Sequence, residues 1–525
     1  MHKKQYIKKE HYQKNVDTKT VKVLPISLFY TIINIIRRDN MNPLQNTEPK
    51  NVFRWFYEIS QIPRGSGNER AISDFLVKFA KDRSLEVYQD SAMNVIIKKP
   101  GTKGFENSPA VILQGHMDMV CEKEADSPHD FLKDPIKFVV KGDMLYADKT
   151  TLGGDDGIAV AYTLAILDAD DIPHPPLEVL ITTEEETGMG GAMALTGEHL
   201  CAKRLLNIDS EEEGIFLVSC AGGANVHTYF KIETEPLKHT AIKITVSGLT
   251  GGHSGMEIKN QRGNAIKLLG RILFKLKENS KINIIEIAGG SKHNAIAKDS
   301  YAIISTANAD EILNIFKTAK EELKAEYRSA DKLLSLTAEK IQTQKTEMFT
   351  EKLSTDLIDF MMMVPDGVRY KSLEIPGLIQ TSLNNGILEE ENGKLKFTIS
   401  VRSSVKSALD ETCNIIKIQA EHTNAEFEKA SEYPAWEYNP NSPVRDIAIN
   451  VYKNLPQKEP TRPEPVITAI HAGLECGLLT KTLPGIDAIS FGPNLYDVHT
   501  PNEHMNIPSV ERTWKFLLAY LKELR

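Results

Sequence analysis

Two stretches of this chain, "PAVILQGHMDMV" (109–120) and "PLEVLITT" (176–183), are apolar along most of their length, and the helical "GIAVAYTLAILDA" (157–169) lies between them. A strand that hides both faces has to be sandwiched between other layers, and a strand–helix–strand order supplies those layers. The first fold class is thereby an α/β mixed sheet with helices on both faces. Upstream, "ERAISDFLVKFAKDRSL" has helical spacing and "EVYQDSAMNVIIKKP" reads as strands.

Near residue 224 the pattern changes. "ANVHTYFKIETEP" and "HTAIKITVSGL" alternate polar and apolar residues, as in an antiparallel sheet with one wet face, and they mix with amphipathic helices such as "GNAIKLLGRILFKLKEN". Buried α/β character returns at "GIDAISFGP" and ends in the helix "SVERTWKFLLAYLKEL". An inserted α+β domain with an antiparallel sheet, over 224–433, therefore splits a first domain made of 41–223 and 434–525. Residues 1–40 stand apart: a Lys-rich start and the apolar "VLPISLFYTIINII" (23–36) imitate a signal peptide. No small-residue cleavage site follows, and the apolar run falls short of the roughly 20 residues that span a bilayer. They read as an appendage, disordered or translated from a start upstream of the true one.

The 525 residues carry 63 Lys+Arg against 71 Asp+Glu, a net charge of −8, which favours neither nucleic acid nor an anionic membrane as partner. Five scattered cysteines without a C-x-x-C pair argue against a disulfide framework or thiolate zinc knuckle and fit a reducing cytoplasm.

The polar residues that matter sit at the ends of the buried strands, where open α/β sheets bind ligands. His116 and Asp118 end one strand and, two apart, point to the same side. Asp155 and Asp156 lie in "TLGGDDG"; Glu184, Glu185 and Glu186 follow "LEVLITT"; Asp209 follows "RLLNI"; His499 lies in "DVHTPNEH". Singly, each has a plain structural explanation as a solvated acidic loop, a turn or a loop histidine. Together they form an oxygen-rich set with two imidazoles and no thiolate, which suits zinc, manganese or cobalt. Without cations, so many neighbouring carboxylates would raise one another's pKa.

"GHMDMV", "TTLGGDDG", "TEEETGMGGA", "NIDSEEEG", "GGHSGMEI", "HAGLECG" and "HTPNEHMNIP" together resemble the motif series of the M20 metallopeptidases, in the aminoacyl-histidine dipeptidase branch, from about Met41 to Arg525. The resemblance implies a zinc-peptidase-like fold and two divalent ions, zinc first, with manganese or cobalt as alternatives. Asp155 would bridge them, His116 and Asp209 would complete one site, and Glu186 and His499 the other. It further implies that Asp118 orients His116 and that Glu185 is the general base, with Gly188-Met189 as the anchor that separates Glu185 from Glu184 and Glu186. A cis Asp155–Asp156 peptide is part of the same expectation. His253 in the lid would hold the carbonyl oxygen, while Asn294, Arg402 and Glu475 would grip substrate termini, Arg402 through its planar fork. The implied activity is hydrolysis of Xaa-His and other dipeptides by a cytoplasmic enzyme, with a homodimer allowed for. The rival within the fold is an N-acyl amino acid amidohydrolase, whose lid is usually much shorter than the roughly 210 residues available here. The rival outside it is a silent binding protein, disfavoured because every implied ligand and Glu185 are present.

Overall fold

The computed structural model describes residues 42–456 and 462–525; the appendage read over 1–40 lies outside the described residues. An eight-stranded mixed sheet forms the base. Its order is Glu86–Gln89, Val95–Lys99, Leu177–Thr182, Val111–His116, Arg204–Asn207, Asp487–Ser490, Ile215–Cys220 and Val466–Ile470. Val111–His116 runs parallel to both of its neighbours and every one of its residues is buried, as its unbroken apolar run requires.

Both faces of this sheet are covered. Val111, Leu113, Val179, Ile181 and Leu206 enter a core with the helices Lys50–Ser60, Gly154–Asp168 and Ile507–Glu523, whereas Ile112, Leu180 and Leu205 pack on the opposite side with Cys476 and Leu479 of the helix Glu475–Thr482. The alternation of strand side chains divides one sequence between two cores. The helix Gly154–Asp168 is apolar on every side because it is walled in by the sheet, by Lys50–Ser60 and by the last helix, where Tyr162 donates to the carbonyl of Val510 at 2.9 Å.

The lid is a nine-stranded antiparallel sheet. It begins with Gly222–Lys231 and closes with Glu426–Tyr433, which pair side by side. The crossing into it is tight: a Cβ on Gly222 would sit 2.5 Å from the nitrogen of Ala435, and one on Gly223 would sit 2.6 Å from the Tyr433 ring. Only glycine lets the two chains pass this closely. Helices Ala265–Asn279, Glu351–Met363 and Lys406–His422 share a core with the lid sheet, the first of them capped by the Asn264 side chain, which accepts from the N–H groups of Ile266 and Lys267. Among the described residues, no helix is long and apolar enough to cross a membrane.

Candidate metal centre

Strand ends gather the expected residues into one place. His116 closes the central strand and is buried; its Nε2 lies 3.1 Å from Asp155 Oδ1 and 3.7 Å from Asp209 Oδ1. On the far side of Asp155, Oδ2 is 3.1 Å from His499 Nε2, which is in turn 3.0 Å from Glu186 Oε2. Two three-residue groups result, His116–Asp155–Asp209 and Asp155–Glu186–His499, each with donor atoms within 4.8 Å of one another and with Asp155 common to both. The chain at the start of its helix departs from helical geometry at residues 155 and 156, and the peptide between them is cis.

The electrostatics fit cations. Glu186 Oε1 is buried without a hydrogen-bond partner. Burial and the nearby Asp156 push the Asp209 carboxyl well above the usual carboxylate range. Burial, with Glu475, Glu186 and Asp155 adding repulsion against the attraction of His116, pushes Glu185 up to about 8. Burial opposes a charge on His116, but Asp118, Asp155 and Asp209 outweigh it and raise its pKa well above the ordinary value. A set of hard oxygens and imidazoles held this close, with one buried carboxylate oxygen unpartnered, suits divalent ions, which would supply the missing positive charge.

The acidic turn also separates its three glutamates. Glu184 folds back over the turn, since a Cβ on Gly190 would lie 2.2 Å from its Oε2. Glu185 and Glu186 can each join His116 in a third group of close donors.

Asp118 stands behind His116, its Oδ1 3.3 Å from Nδ1, and it also accepts from the Ser66 hydroxyl at 2.9 Å. Carboxylates in this position fix the orientation and raise the basicity of a ligand imidazole. Two buried residues that the motifs had not singled out hold the neighbouring loops. Arg64 donates to the carbonyls of Met117, Asp118 and Gly153, and a Cβ on Gly153 or Gly157 would strike its guanidinium. Glu503 accepts from the N–H groups of Leu152, Gly153 and Gly154 at 2.7, 3.0 and 2.7 Å and more distantly from Asp155. Neither has a spacing signature, because their partners are backbone groups remote in sequence. Replacing Glu503 with Gln leaves one of its two acceptor oxygens as an N–H₂ facing N–H donors. At roughly 1–3 kcal/mol per unsatisfied buried donor, Glu503→Gln is expected to lower the thermal midpoint and the ion content together, which melting curves and elemental analysis would check.

Glu475 requires a correction. Expected to face a substrate terminus, it is fully buried beneath the sheet ends, where it accepts from Gln114 and Thr182, each at 2.6 Å. Gln114 in turn accepts from Asn207 at 2.6 Å. Since Gln114 and Asn207 lie two residues before His116 and Asp209, on the same sides of their strands, Glu475 anchors a layer under the ligands.

Ser382 and Arg402 of the lid meet His471, which belongs to the segment after the lid. The Nε2 of His471 is 2.7 Å from Ser382 Oγ, and burial, with Arg402 nearby, pushes its pKa down to about 3. Arg402 donates to the Tyr433 hydroxyl at 2.7 Å while its buried Nε has no partner. His253 turns Nδ1 toward the N–H groups of Gly255 and Met256, leaving Nε2 as its available nitrogen, and the carbonyl of Asn294 accepts from Ser254.

The model of peptidase family M20/M25/M40 matches residues 112–523. The chain is a member of this family. Among the proteins similar to this M20 peptidase is the cytosol non-specific dipeptidase of Escherichia coli strain K12, 36% identical over 92% of this chain and 99% of that protein. The crystal structure of the aminoacylhistidine dipeptidase of Vibrio alginolyticus superposes with a TM-score of 0.86 at 34% identity, covering 92% of this chain and 98% of that one. Aminopeptidase PepT from Bacillus cereus ATCC 10987 shares the fold at a TM-score of 0.54 and 18% identity, covering 91% and 99% of the two chains. The M20 peptidase fold, with a catalytic domain and a lid, is thus the architecture that the strand-end residues serve.

Proposed function

We propose that this M20 peptidase hydrolyses dipeptides, Xaa-His and others, in the cytoplasm, at a centre that takes two divalent ions. The observation that carries this reading is the shared position of Asp155 between the pairs His116/Asp209 and Glu186/His499. When bound, such ions polarise the scissile carbonyl and lower the pKa of the attacking water. Zinc is the proposed metal. Glu185 is the proton carrier: its carboxylate lies within the same close group as His116 and Glu186, where it takes the proton of the attacking water and delivers it to the leaving amine. Asp118 keeps His116 in one orientation. His253, with Nε2 available, is assigned to the carbonyl oxygen as negative charge develops there. Arg402, whose Nε lacks a partner, is assigned to the free carboxylate of the dipeptide, and Asn294 to gripping a substrate terminus. The domain division behind this reading is 41–223 and 434–525 for the catalytic part and 224–433 for the lid.

The test is a direct assay of the zinc-loaded and manganese-loaded protein on His-containing and other dipeptides and on N-acyl amino acids. Dipeptides are expected to be cleaved, and the same dipeptides amidated at the C-terminus to be poor substrates. Turnover of N-acyl amino acids alone would replace this reading with the amidohydrolase one.

A further inference from the structure

The acidic turn is held by its backbone. Thr183 N–H donates to Asn94 Oδ1 at 3.2 Å, Glu184 N–H to Glu69 Oε1 at 3.2 Å, Glu185 N–H to Asp118 Oδ1 at 3.2 Å and Glu186 N–H to Asp118 Oδ2 at 3.3 Å. Four successive N–H groups are therefore received by side chains from outside the turn. Such a row of donors has no partner within the turn itself, and a backbone donor left unmade away from water is costly. At its centre Glu184 adopts a left-handed backbone, φ 53°, which a side chain other than glycine occupies only when its surroundings impose it.

Asn94 and Asp118 have other tasks. Asn94 ties its own loop to Asp90 and Gly191, and Asp118 faces His116. Glu69 differs: it is buried, it precedes the helix Arg70–Asp82, and the same Oε1 that receives Glu184 also receives Gly67 N–H at 3.0 Å. That double acceptance links the left-handed residue to the segment Arg64–Glu69, whose Arg64 and Ser66 already hold the loops carrying Asp118 and Gly153. One short segment thus grips the loop of the imidazole ligand, the loop of the bridging aspartate and the turn of the base.

We infer that Glu69 is a positioning residue for Glu185: by accepting the Glu184 N–H it fixes the left-handed residue from which the next side chain, the proton carrier, is aimed. This rests on the assignment of Glu185 as the base. Glu69 belongs to none of the close donor groups of the centre; it acts through the backbone, as an acceptor at a set reach.

Two substitutions separate reach from charge. Glu69→Gln keeps an oxygen at the same distance and loses the charge, whereas Glu69→Asp keeps the charge and withdraws the oxygen by one methylene. Small misplacements of a reacting group can cost as much as about 100-fold. Glu69→Gln is expected to keep kcat within about threefold, and Glu69→Asp to lose about 10- to 100-fold in kcat. In both, KM and ions per chain should stay near the parent's, which a merely structural loss would not leave in place; Glu69→Asp should also lower the thermal midpoint modestly, since two N–H donors lose their acceptor. Glu69→Asp with parental kcat would overturn the inference, as would Glu69→Gln impaired as much as Glu69→Asp, or a loss of ions in proportion to activity. Glu185→Gln runs beside them: if it retains turnover, the assignment of the base has failed; if it loses turnover while Glu69→Asp does not, only the positioning role has.

Discussion

Glu185→Gln is expected to lower kcat by about 100- to 10,000-fold, the usual contribution of a positioned base, while two ions per chain and dipeptide binding are retained. The amide preserves the shape of the side chain and cannot take a proton. Glu186→Gln is expected to fail differently, because its Oε2 lies against His499 and its other oxygen is buried without a partner. A neutral amide is a poor substitute for a ligand carboxylate, so the ion shared by Asp155, Glu186 and His499 should be lost. Elemental analysis and kinetics on both variants distinguish the roles. An ion lost from Glu185→Gln and kept by Glu186→Gln would reverse them, and Glu184→Gln should matter little, its carboxylate being folded over Gly190.

The second large effect is that of chelation. Removing the ions should abolish hydrolysis and leave both domains folded, because their cores are built from aliphatic and aromatic side chains that do not depend on the centre. Circular dichroism should stay near that of the loaded protein, and activity should return as ions are restored, reaching its plateau at two per chain. A plateau at one ion would remove the bridging role of Asp155.

What was legible in the sequence follows from where the information lies. The buried sheet could be read because Val111–His116 and Leu177–Thr182 must be apolar on both faces. The ligand candidates could be read because all but the loop residue His499 end or follow such a strand or open the following helix, and their motifs resemble a family. Arg64, Glu69 and Glu503 could not, since each acts on the backbone of a loop far away in the chain, where residue identity leaves no trace. Glu475 was visible but misplaced. A glutamate in a glycine-bearing loop resembles a substrate contact, and only the fold reveals Gln114 and Thr182 waiting for it under the sheet.

The order of strands in the base sheet has a consequence for synthesis. Asp487–Ser490 lies between Arg204–Asn207 and Ile215–Cys220, strands made more than 260 residues earlier, and His499 follows it. As the polypeptide leaves the ribosome, the lid has all its strands while the base still has a gap where one central strand belongs. Until that gap is filled the half-built sheet cannot pair its middle, and the group Asp155–Glu186–His499 lacks its histidine. With His499 in the proposed role, a nascent chain of this design cannot attack peptides before residue 499 has been made.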